Sequence, residues 1–459
     1  MKKSTIKEKL FRREVQMGRK EQRKAVKKEK SAVAELCKVQ RKYVPQLFEL
    51  FEATADPRNP CYITYSNTVM LGQMFFKGIA GIVSMQGMTQ AFNDKTISKN
   101  LTMLMGCSKM EYLPHHVTEN EYLERLDPKE IEKVIHQMVY SLLRRRTFED
   151  ARYKKKWLII VDGTQTYSGN RQINENCLER HYDKGTENEH VNYHLDVLEA
   201  KIYLGDGLVC SIASEFIENS ESDRERYRRM SEEQIKQDCE LKAFVRLAAK
   251  IKKCYPRLPI LLLGDSLYAC EPVMKICRDH GWDYLLRFKD GRIPSIAEEY
   301  QAITEKTKVG RAEFINGIDY EGYQVNVLRY EDRKEKNGET ATTVFQWITS
   351  LQITERNAEK MATKGRLRWK IENEGFNRQK NWQGDITHAC SFDGNALKNH
   401  YLIYQIADFI RQLYEHFSLK EKGIKRTIKN ISSALLASFG RQLTGEDISK
   451  KRLGKPAFE

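Results

Sequence analysis

The sequence predicts a mixed α/β protein in which a central sheet lies between helices that precede it and helices that follow it. Short continuous apolar runs at 157–161, 259–264 and 284–288 are typical of strands buried on both faces. Apolar residues three or four positions apart, typical of amphipathic helices, dominate the chain to about residue 150 and return near residue 355. The stretch at about 290–353 lacks helical periodicity, so we expect a strand-rich insertion there.

The segment at 43–150 contains two recognisable helix starts. Ser66 is a suitable N-cap for an apolar helix, and Asp127 precedes Pro128, a residue that suits the first helical position. The second helix ends in a basic run that begins with Arg144, where positive charge stabilises the helix dipole. We therefore expect a domain of packed amphipathic helices in this segment.

The apolar run that begins at Trp157 opens a recognisable order of strands and helices. Two strand-like runs follow, at 196–204 and 208–216, and Gly205-Asp206-Gly207 joins them as a hairpin. The remaining elements are, in chain order, a helix at 232–254, a strand at 259–264, a helix at 272–280 and a strand at 284–288. An antiparallel hairpin ahead of parallel strands is the arrangement of a ribonuclease H type core, which we expect at 151–417.

The net positive charge of this chain of 459 residues comes from its two ends. The formal net charge is +15; residues 1–30 carry 13 basic and 4 acidic side chains, and residues 418–459 carry 10 and 4. Cationic ends suggest a polyanionic partner, because Lys and Arg that bind phosphates release condensed counterions. A solvated helix and tail are the alternative. We expect a basic N-terminal arm at 1–42 and a basic C-terminal helical tail at 418–459.

The composition also argues against several classes of protein. The ten cysteines include no C-x-x-C pair, and the chain is too long for a disulfide scaffold, so we expect reduced cysteines. Residues 1–30 lack the apolar stretch of a secretory signal. The most apolar window, 68–88, contains Lys77 and four glycines, so it does not qualify as a membrane span. We expect a cytoplasmic protein with no membrane partner.

Two acidic residues come directly after buried strands of the predicted core. Asp162 follows the first such strand and Asp265 follows the second. The ends of these strands can be neighbours in this fold, so the two carboxylates could converge. Arg368 and Glu372, four residues apart on a predicted helix at 364–380, lie on one helix face. A carboxylate beside an arginine in half-buried surroundings is either part of a structural ion pair or a metal ligand.

These acids and their surroundings resemble a known family. Asp162 in IIVDGTQ, Asp265 in LLLGDSLYA and Glu372 in RWKIENEGFNRQK resemble the three acids of the DDE transposases encoded by bacterial insertion sequences. The likeness is to the branch with a strand-rich insertion before the catalytic glutamate and a tyrosine, arginine, glutamate, lysine signature around it. The resemblance covers about 157–415 and more loosely the helical segment before it, for which we expect a DNA-binding role on the basis of charge alone.

The predicted helix around the third acid departs from that signature at two positions. Gly365 stands at the tyrosine position, and Lys380 lies one residue beyond the lysine position, which Gln379 occupies on the side of the helix that carries the third acid. Glu374 is the alternative third acid, although it lies on the opposite side of the helix. The apolar residues of this helix, Trp369 among them, predict burial between the sheet and the following helix.

The resemblance implies a site for two Mg²⁺ or Mn²⁺ ions, in which Asp162 bridges both ions while Asp265 and Glu372 hold one each. Two divalent ions about 3.5–4 Å apart can clamp the in-line displacement at phosphorus that DNA cleavage and strand transfer require. Arg368 and Lys380 would contact phosphates near the cleaved bond. The partners implied are double-stranded DNA, both transposon ends and target, and a second copy of the chain in a homodimer, in association with the nucleoid.

Two points remain open from the sequence. Trp347, on the insertion, is a candidate for stacking on a displaced base, with Trp382 as the second candidate and a core tryptophan as the alternative interpretation. The function itself also has alternatives to an active transposase. One is a catalytically inactive DNA-binding regulator, against which the presence of all three acids argues, and another is a related nuclease without strand transfer.

Overall fold

The computed structural model describes residues 31–219, 238–336 and 339–441, together with residues 225 and 443. The chain forms two compact units. The sheet unit is Arg145–Asn377, and the helical unit combines the described residues of Met1–Arg144 with those of Arg378–Glu459. The predicted mixed α/β class is confirmed, because helices precede and follow a mixed sheet that has ten strands within the described ranges.

Amphipathic helices with short connections form the first part of the helical unit. In chain order they are α1 (Ala32–Tyr43), α2 (Leu47–Glu52), α3 (Asn67–Ala80), α4 (Met85–Phe92), α5 (Lys95–Met105), α6 (His116–Arg125) and α7 (Pro128–Arg144). Both predicted helix starts are confirmed, because α3 begins after Ser66 and α7 begins with Pro128. Every residue of α3 is buried, whereas α7 buries one apolar stripe and exposes its charged face.

The predicted basic arm at 1–42 has only its last part among the described residues. That part is not an arm, because α1 buries Val33 and Leu36 and the N–H of Val33 donates to Ser438 Oγ at 3.0 Å. The prediction relied on the charge count and overlooked an amphipathic helix, whose apolar residues recur three and four positions apart. Residues 1–30, whose 13 basic and 4 acidic side chains give +9 of the net charge of +15, lie outside the described residues.

One mixed sheet organises the sheet unit. Its strands are, in chain order, β1 (Trp157–Gly169), β2 (Leu178–Tyr182), β3 (His190–Tyr203), β4 (Val209–Ile217), β5 (Ile260–Gly264), β6 (Asp283–Arg287), β7 (Thr307–Val309), β8 (Ala312–Tyr320), β9 (Tyr323–Lys336) and β10 (Glu339–Thr349). The order across the sheet is β2-β3-β1-β5-β6-β10-β9-β8-β7, and β4 pairs with β3. The pairs β1–β5 and β5–β6 are parallel, and the other pairs are antiparallel.

The prediction for the first strands is correct for the hairpin, but it ends β1 too early and misses β2. The predicted hairpin is confirmed, because Gly205-Asp206-Gly207 joins β3 to β4 and all three residues have positive φ. In contrast, β1 continues to Gly169, beyond the predicted end at Val161, and β2 was not predicted. Within β2 only Leu178 is buried, so its sequence has no apolar run that could have indicated a strand.

The helices of the sheet unit cover the strands and begin the segment around the third acid. They are α8 (Glu240–Cys254), α9 (Glu271–His280), α10 (Pro294–Ala302) and α11 (Ala358–Gly365). The predicted helix at 232–254 is confirmed from Glu240 onward, and residues 232–237 lie outside the described residues. Helix α10 was missed in the insertion, where Pro294 starts it and the buried Ile296 and Tyr300 anchor it.

The strand-rich insertion extends the central sheet. Strand β10 pairs antiparallel with β6, so that Thr349 lies opposite Leu285 and Trp347 lies opposite Arg287. Strands β9, β8 and β7 then follow as an antiparallel series. The insertion therefore shares backbone hydrogen bonds with the ribonuclease H type core.

The last helices complete the helical unit. They are α12 (Asn377–Asn381), α13 (Gly394–Tyr414) with a π-helical turn at Glu415–Lys420, and α14 (Ile428–Phe439). A buried ion network holds them, in which Arg378 Nη2 lies 2.6 Å and Arg411 Nε 3.1 Å from the carboxylate of Glu415. The sequence had grouped residues up to 417 with the sheet, whereas Arg378 and the residues after it belong to the helical unit.

Within the described ranges, no single helix is long and apolar enough to cross a membrane. Helices α3 and α4 reach that length and composition only as a pair, and a bend of 96° separates them.

Candidate active site

Asp162 and Asp265 come from neighbouring parallel strands. The register pairs Trp157 with Ile260, an offset of 103 positions, and Asp162 and Asp265 are also 103 positions apart. They therefore continue the ladder at one level, where neighbouring strands lie about 4.8 Å apart. This geometry is the physical basis for the convergence of these two side chains that the sequence suggested.

Local backbone contacts orient both aspartates. Asp265 caps the 3₁₀ turn Ser266–Tyr268, and its Oδ1 accepts the N–H of Leu267 at 2.8 Å. Asp162 Oδ1 accepts the N–H of Gly163 at 3.1 Å. Each carboxylate is thus held by the chain that immediately follows its strand, and one oxygen of each is left for other contacts.

Arg368 connects the first and third predicted acids. Its Nη1 lies 3.2 Å from Asp162 Oδ2 and 3.0 Å from Glu372 Oε1. The side chains of Asp162 and Arg368 are 16% and 14% exposed, whereas that of Glu372 is 39% exposed. The guanidinium group is therefore a largely buried cation between two carboxylates, and Glu372 is the more exposed of the two.

The predicted helix at 364–380 is irregular, so this prediction was wrong in detail. A 3₁₀ turn covers Arg366–Arg368 and a π-helical turn covers Ile371–Phe376 between α11 and α12. The first and last residues of the π turn are both buried and are five positions apart, a spacing that could have revealed it. Gln379 comes after this turn, on α12. Gln379 is buried, and its amide donates to Asp408 Oδ2 at 2.8 Å in the helical unit.

The acids repel one another. Burial raises the pKa of Asp162 to about 7; Arg368 lowers it, and the charges of Glu372, Asp265 and Glu240 raise it. The site therefore concentrates negative charge in surroundings that disfavour it, which is the electrostatic condition for binding a cation.

The pKa of Asp162, which burial raises first and the neighbouring acids raise further, predicts how the stability of the metal-free protein depends on pH. The pKa of Asp162 rises from an ordinary value of 3.8 to about 7 on folding, so the folded state binds a proton that the unfolded state releases. Stability is therefore lost as the pH rises through that window. Asp162→Asn removes the effect, so it should raise the melting temperature by an amount that grows from about pH 4 to about pH 7 and then stays constant.

The measurement is thermal unfolding in EDTA across that pH range. Glu374→Gln removes the same charge from the π turn outside the group of acids and serves as the control. A stabilisation by Asp162→Asn that did not change with pH would contradict the interpretation.

Glu240, at the start of α8, is a fourth carboxylate at this site that the sequence did not reveal. Tyr268 donates its hydroxyl to Glu240 Oε2 at 3.0 Å. Burial raises the pKa of Glu240, the Tyr268 hydrogen bond lowers it, and the charges of Asp265 and Asp196 raise it. The carboxylate also packs against Gly163, where an added Cβ would lie 2.6 Å from Oε1. The available signals, a glycine after Asp162 and an acid in a first helical turn, are too common to have identified it.

Trp347 lies inside the sheet unit and is 2% exposed. Its ring stacks on Phe345 with 5.9 Å between centroids, and the guanidinium of Arg287 lies 5.6 Å from its centroid. This burial supports the core-tryptophan alternative, and base stacking stays a prediction that requires the ring to leave its pocket. The second candidate, Trp382, is 47% exposed in the helical unit.

The buried indole also accounts for the glycine at the signature tyrosine position. A Cβ at Gly365 would lie 2.5 Å from Trp347 Nε1, so the ring occupies the space that a side chain at position 365 would need. Gly365→Ala should lower the free energy of unfolding by about 1–3 kcal/mol through overpacking. Chemical denaturation measures the loss. Gly291→Ala is the control, because no atom lies within 4 Å of the added Cβ there. Equal stability of both variants would contradict this packing.

Three other residues around the third acid have definite surroundings. Glu374, the alternative acid, pairs with Lys370 at 3.0 Å, and both lie beside Gly207 in the β3–β4 turn. Lys380 is half-buried on α12, and its phosphate contact stays a prediction. Trp369 is 51% exposed, so the predicted burial of this side chain was wrong. These positions favour Glu372 as the third acid.

The donor set suits a hard divalent cation, although the side chains are not arranged around one. In the ranges that the structure describes, no group of three or more His, Cys, Asp or Glu side chains is positioned to hold a metal ion. Instead the guanidinium of Arg368 lies between the carboxylates of Asp162 and Glu372, where positive charge is required. Carboxylate oxygens are the ligands that Mg²⁺ and Mn²⁺ prefer, so the types of side chain at this site fit these ions.

Residues 239–404 match the family model described as Transposase DDE domain. The match includes Asp265, Arg368, Glu372 and Lys380 and begins after Asp162. The chain thus contains a DDE transposase catalytic domain, and such domains use divalent metal ions and act on DNA. No curated protein matches the chain significantly.

Proposed function

We propose that the protein is a transposase that cuts DNA at the inverted-repeat ends of an insertion sequence and joins the 3′ ends to a target. One observation carries this proposal: Arg368 links Asp162 to Glu372, and Asp265 lies at the level of Asp162 on the neighbouring strand. Asp265 and Glu372 belong to the region that matches the DDE transposase domain. Carboxylates that can hold two divalent ions are what metal-assisted phosphoryl transfer requires.

The residues of the group have separate roles in this proposal. Asp162, Asp265 and Glu372 would hold the two cations, with Asp162 contributing to both, Asp265 to one and Glu372 to the other. Two bound Mg²⁺ or Mn²⁺ ions would supply activation of the attacking oxygen and stabilisation of the leaving oxygen during displacement at phosphorus. Arg368 leaves the carboxylates and binds a phosphate near the scissile bond, because a guanidinium group matches phosphate geometry. Lys380 contributes a second phosphate contact.

DNA binding in this proposal involves more of the chain than the acidic group. The basic residues at 1–30 and 418–459 supply contacts to phosphates that do not depend on sequence, and the helical segment at 43–150 binds the transposon ends. A homodimer holds two ends at once, in association with the nucleoid. Salt-dependent binding to end duplexes, measured with and without residues 1–30, tests the contribution of the arm.

A supercoiled plasmid tests the function. It should carry the DNA that flanks the coding region on both sides, since inverted repeats are expected there, and be incubated with the full-length protein and Mg²⁺. Joined products that require Mg²⁺ support the transposase. Nicks without joining indicate the nuclease alternative, and binding without cleavage indicates the inactive regulator.

A further inference from the structure

Lys77 is a buried lysine without a carboxylate partner in the described ranges. It lies on α3, whose residues are all buried, and is itself 3% exposed. Lysines are almost never buried to this extent unless an acid pairs with them. The polar atom that its Nζ contacts is the sulfur of Cys390, at 3.7 Å. Burial lowers the pKa of the amine, which favours its neutral, nucleophilic form.

A second buried base adjoins this amine. His400 Nε2 lies 2.9 Å from Met85 Sδ. Burial lowers the pKa of His400, and the charges of Lys77 and His388 lower it further. These basic neighbours do not stabilise an ammonium group, so the surroundings of Lys77 favour a neutral amine beside the thiol.

Cys390 places its sulfur beside this amine from the segment between α12 and α13. The residue is partly exposed, so a small reagent can reach the sulfur, which donates its proton to the carbonyl oxygen of Val83 at 3.5 Å. Burial raises the pKa of the thiol, whereas Lys77 lowers it and Asp385 raises it. The sulfur and the amine nitrogen come from residues 313 positions apart and lie 3.7 Å apart, close to the distance at which bound groups react.

We propose that Lys77 and Cys390 are a site of oxidative modification, at which hydrogen peroxide links them through a sulfur–nitrogen bond. The product, a sulfenamide, ties the segment between α12 and α13 to α3 inside the helical unit. The competing interpretation is that the contact is only a hydrogen bond that satisfies a buried amine. This inference goes beyond the proposed function, because it involves none of the acids and requires no DNA.

The reaction has two steps, in which the sulfur is oxidised and the peroxide is reduced to water. In the first, the Lys77 amine takes the thiol proton and the thiolate, the nucleophilic form, attacks one peroxide oxygen. An S–O bond forms, the O–O bond breaks, and the departing hydroxide takes the proton from Lys77. In the second, the neutral amine attacks the sulfur of the resulting sulfenic acid. An S–N bond forms, the S–O bond breaks, and the departing hydroxide takes a proton from the nitrogen.

Peptide mapping of the full-length protein after treatment with hydrogen peroxide tests the proposal. The chain carries Cys61→Ser, because Cys61 is exposed and shares a peptide with Lys77. Trypsin does not cut after a modified lysine, so the link should join residues 59–95 to residues 381–398 with the loss of two hydrogen atoms. Dithiothreitol should release the two peptides and restore cutting after Lys77. Peroxide added to the protein unfolded in guanidinium chloride should give no link.

Three substitutions in the same background identify the bond. Lys77→Met and Cys390→Ser should each abolish the linked pair, whereas Cys239→Ser, which removes another exposed cysteine, should leave its yield unchanged. The chain with both residues intact decides the question even where Lys77→Met fails to fold. Conversion of Cys390 to sulfinic or sulfonic acid with normal cutting after Lys77 would overturn the proposal. So would a Cys390 thiol that peroxide leaves unmodified, or a linked pair that persists in Lys77→Met.

Discussion

Asp162→Asn is expected to abolish Mg²⁺-dependent nicking and joining while DNA binding persists. Asp162 is the proposed bridge between two cation positions, and Arg368 already links it to Glu372. Substitution of a residue that merely supports a metal ligand lowers activity about 10- to 100-fold. Loss of a ligand shared by both ions should therefore lower activity by more than about a hundredfold. The measurement is the rate of nicking of a supercoiled plasmid that carries the ends, beside an electrophoretic mobility shift on an end duplex.

Glu374→Gln is the matched control for this substitution. Glu374 pairs with Lys370 beside the β3–β4 turn, so removal of its charge should leave nicking intact. Cleavage that survived Asp162→Asn and fell with Glu374→Gln would reverse the assignment of the acids on the π turn and remove Asp162 from the site.

Arg368→Gln is expected to have two opposite effects. Without DNA, the metal site should bind Mn²⁺ more tightly, because the guanidinium now lies 3.2 Å from Asp162 and 3.0 Å from Glu372. A unit charge about 4 Å away is worth about 4 kcal/mol at the effective dielectric of a protein surface, so a gain of at least about tenfold is expected. With DNA, cleavage should fall about 10- to 100-fold, since a hydrogen bond to a charged group contributes about 1.5–3 kcal/mol.

Arg366→Gln removes the same charge two residues earlier and is the control for both effects. Arg366 pairs with Asp332 at 3.1 Å and lies over the ring of Phe345, with no contact to the acids among those described. It should change neither Mn²⁺ affinity nor cleavage beyond a small loss. Weaker Mn²⁺ binding by Arg368→Gln would show that the arginine supports the ligands and does not compete with the ions.

The buried strands of the core were predictable because their chemistry is unambiguous. The runs at 157–161 and 259–264 have no polar residue to expose, so they had to be central strands, and each delivers an acid at its end. The glycines of the β3–β4 turn likewise allow positive φ that few other residues tolerate. These local properties were enough to predict that Asp162 and Asp265 lie at one edge of the sheet.

Other features depend on contacts between distant residues, which periodicity does not report. The polar strand β2 pairs with β3 through its backbone while most of its side chains remain exposed. The π turn at Ile371–Phe376 interrupts the helix that the sequence predicted at 364–380. Glu240 contacts Gly163 and Tyr268, which are distant from it in the sequence.

Cleavage of the protein backbone by hydroxyl radicals that bound Fe²⁺ generates tests the central claim most directly. The claim is that Asp162, Asp265 and Glu372, which are separated by more than 100 positions at each step, hold metal together. The full-length protein bound to an end duplex, treated with Fe²⁺, ascorbate and peroxide, should be cut near all three positions, and excess Mg²⁺ should suppress the three cuts together. Cuts at only one of the positions, or cuts that Mg²⁺ does not suppress, would contradict a shared metal site.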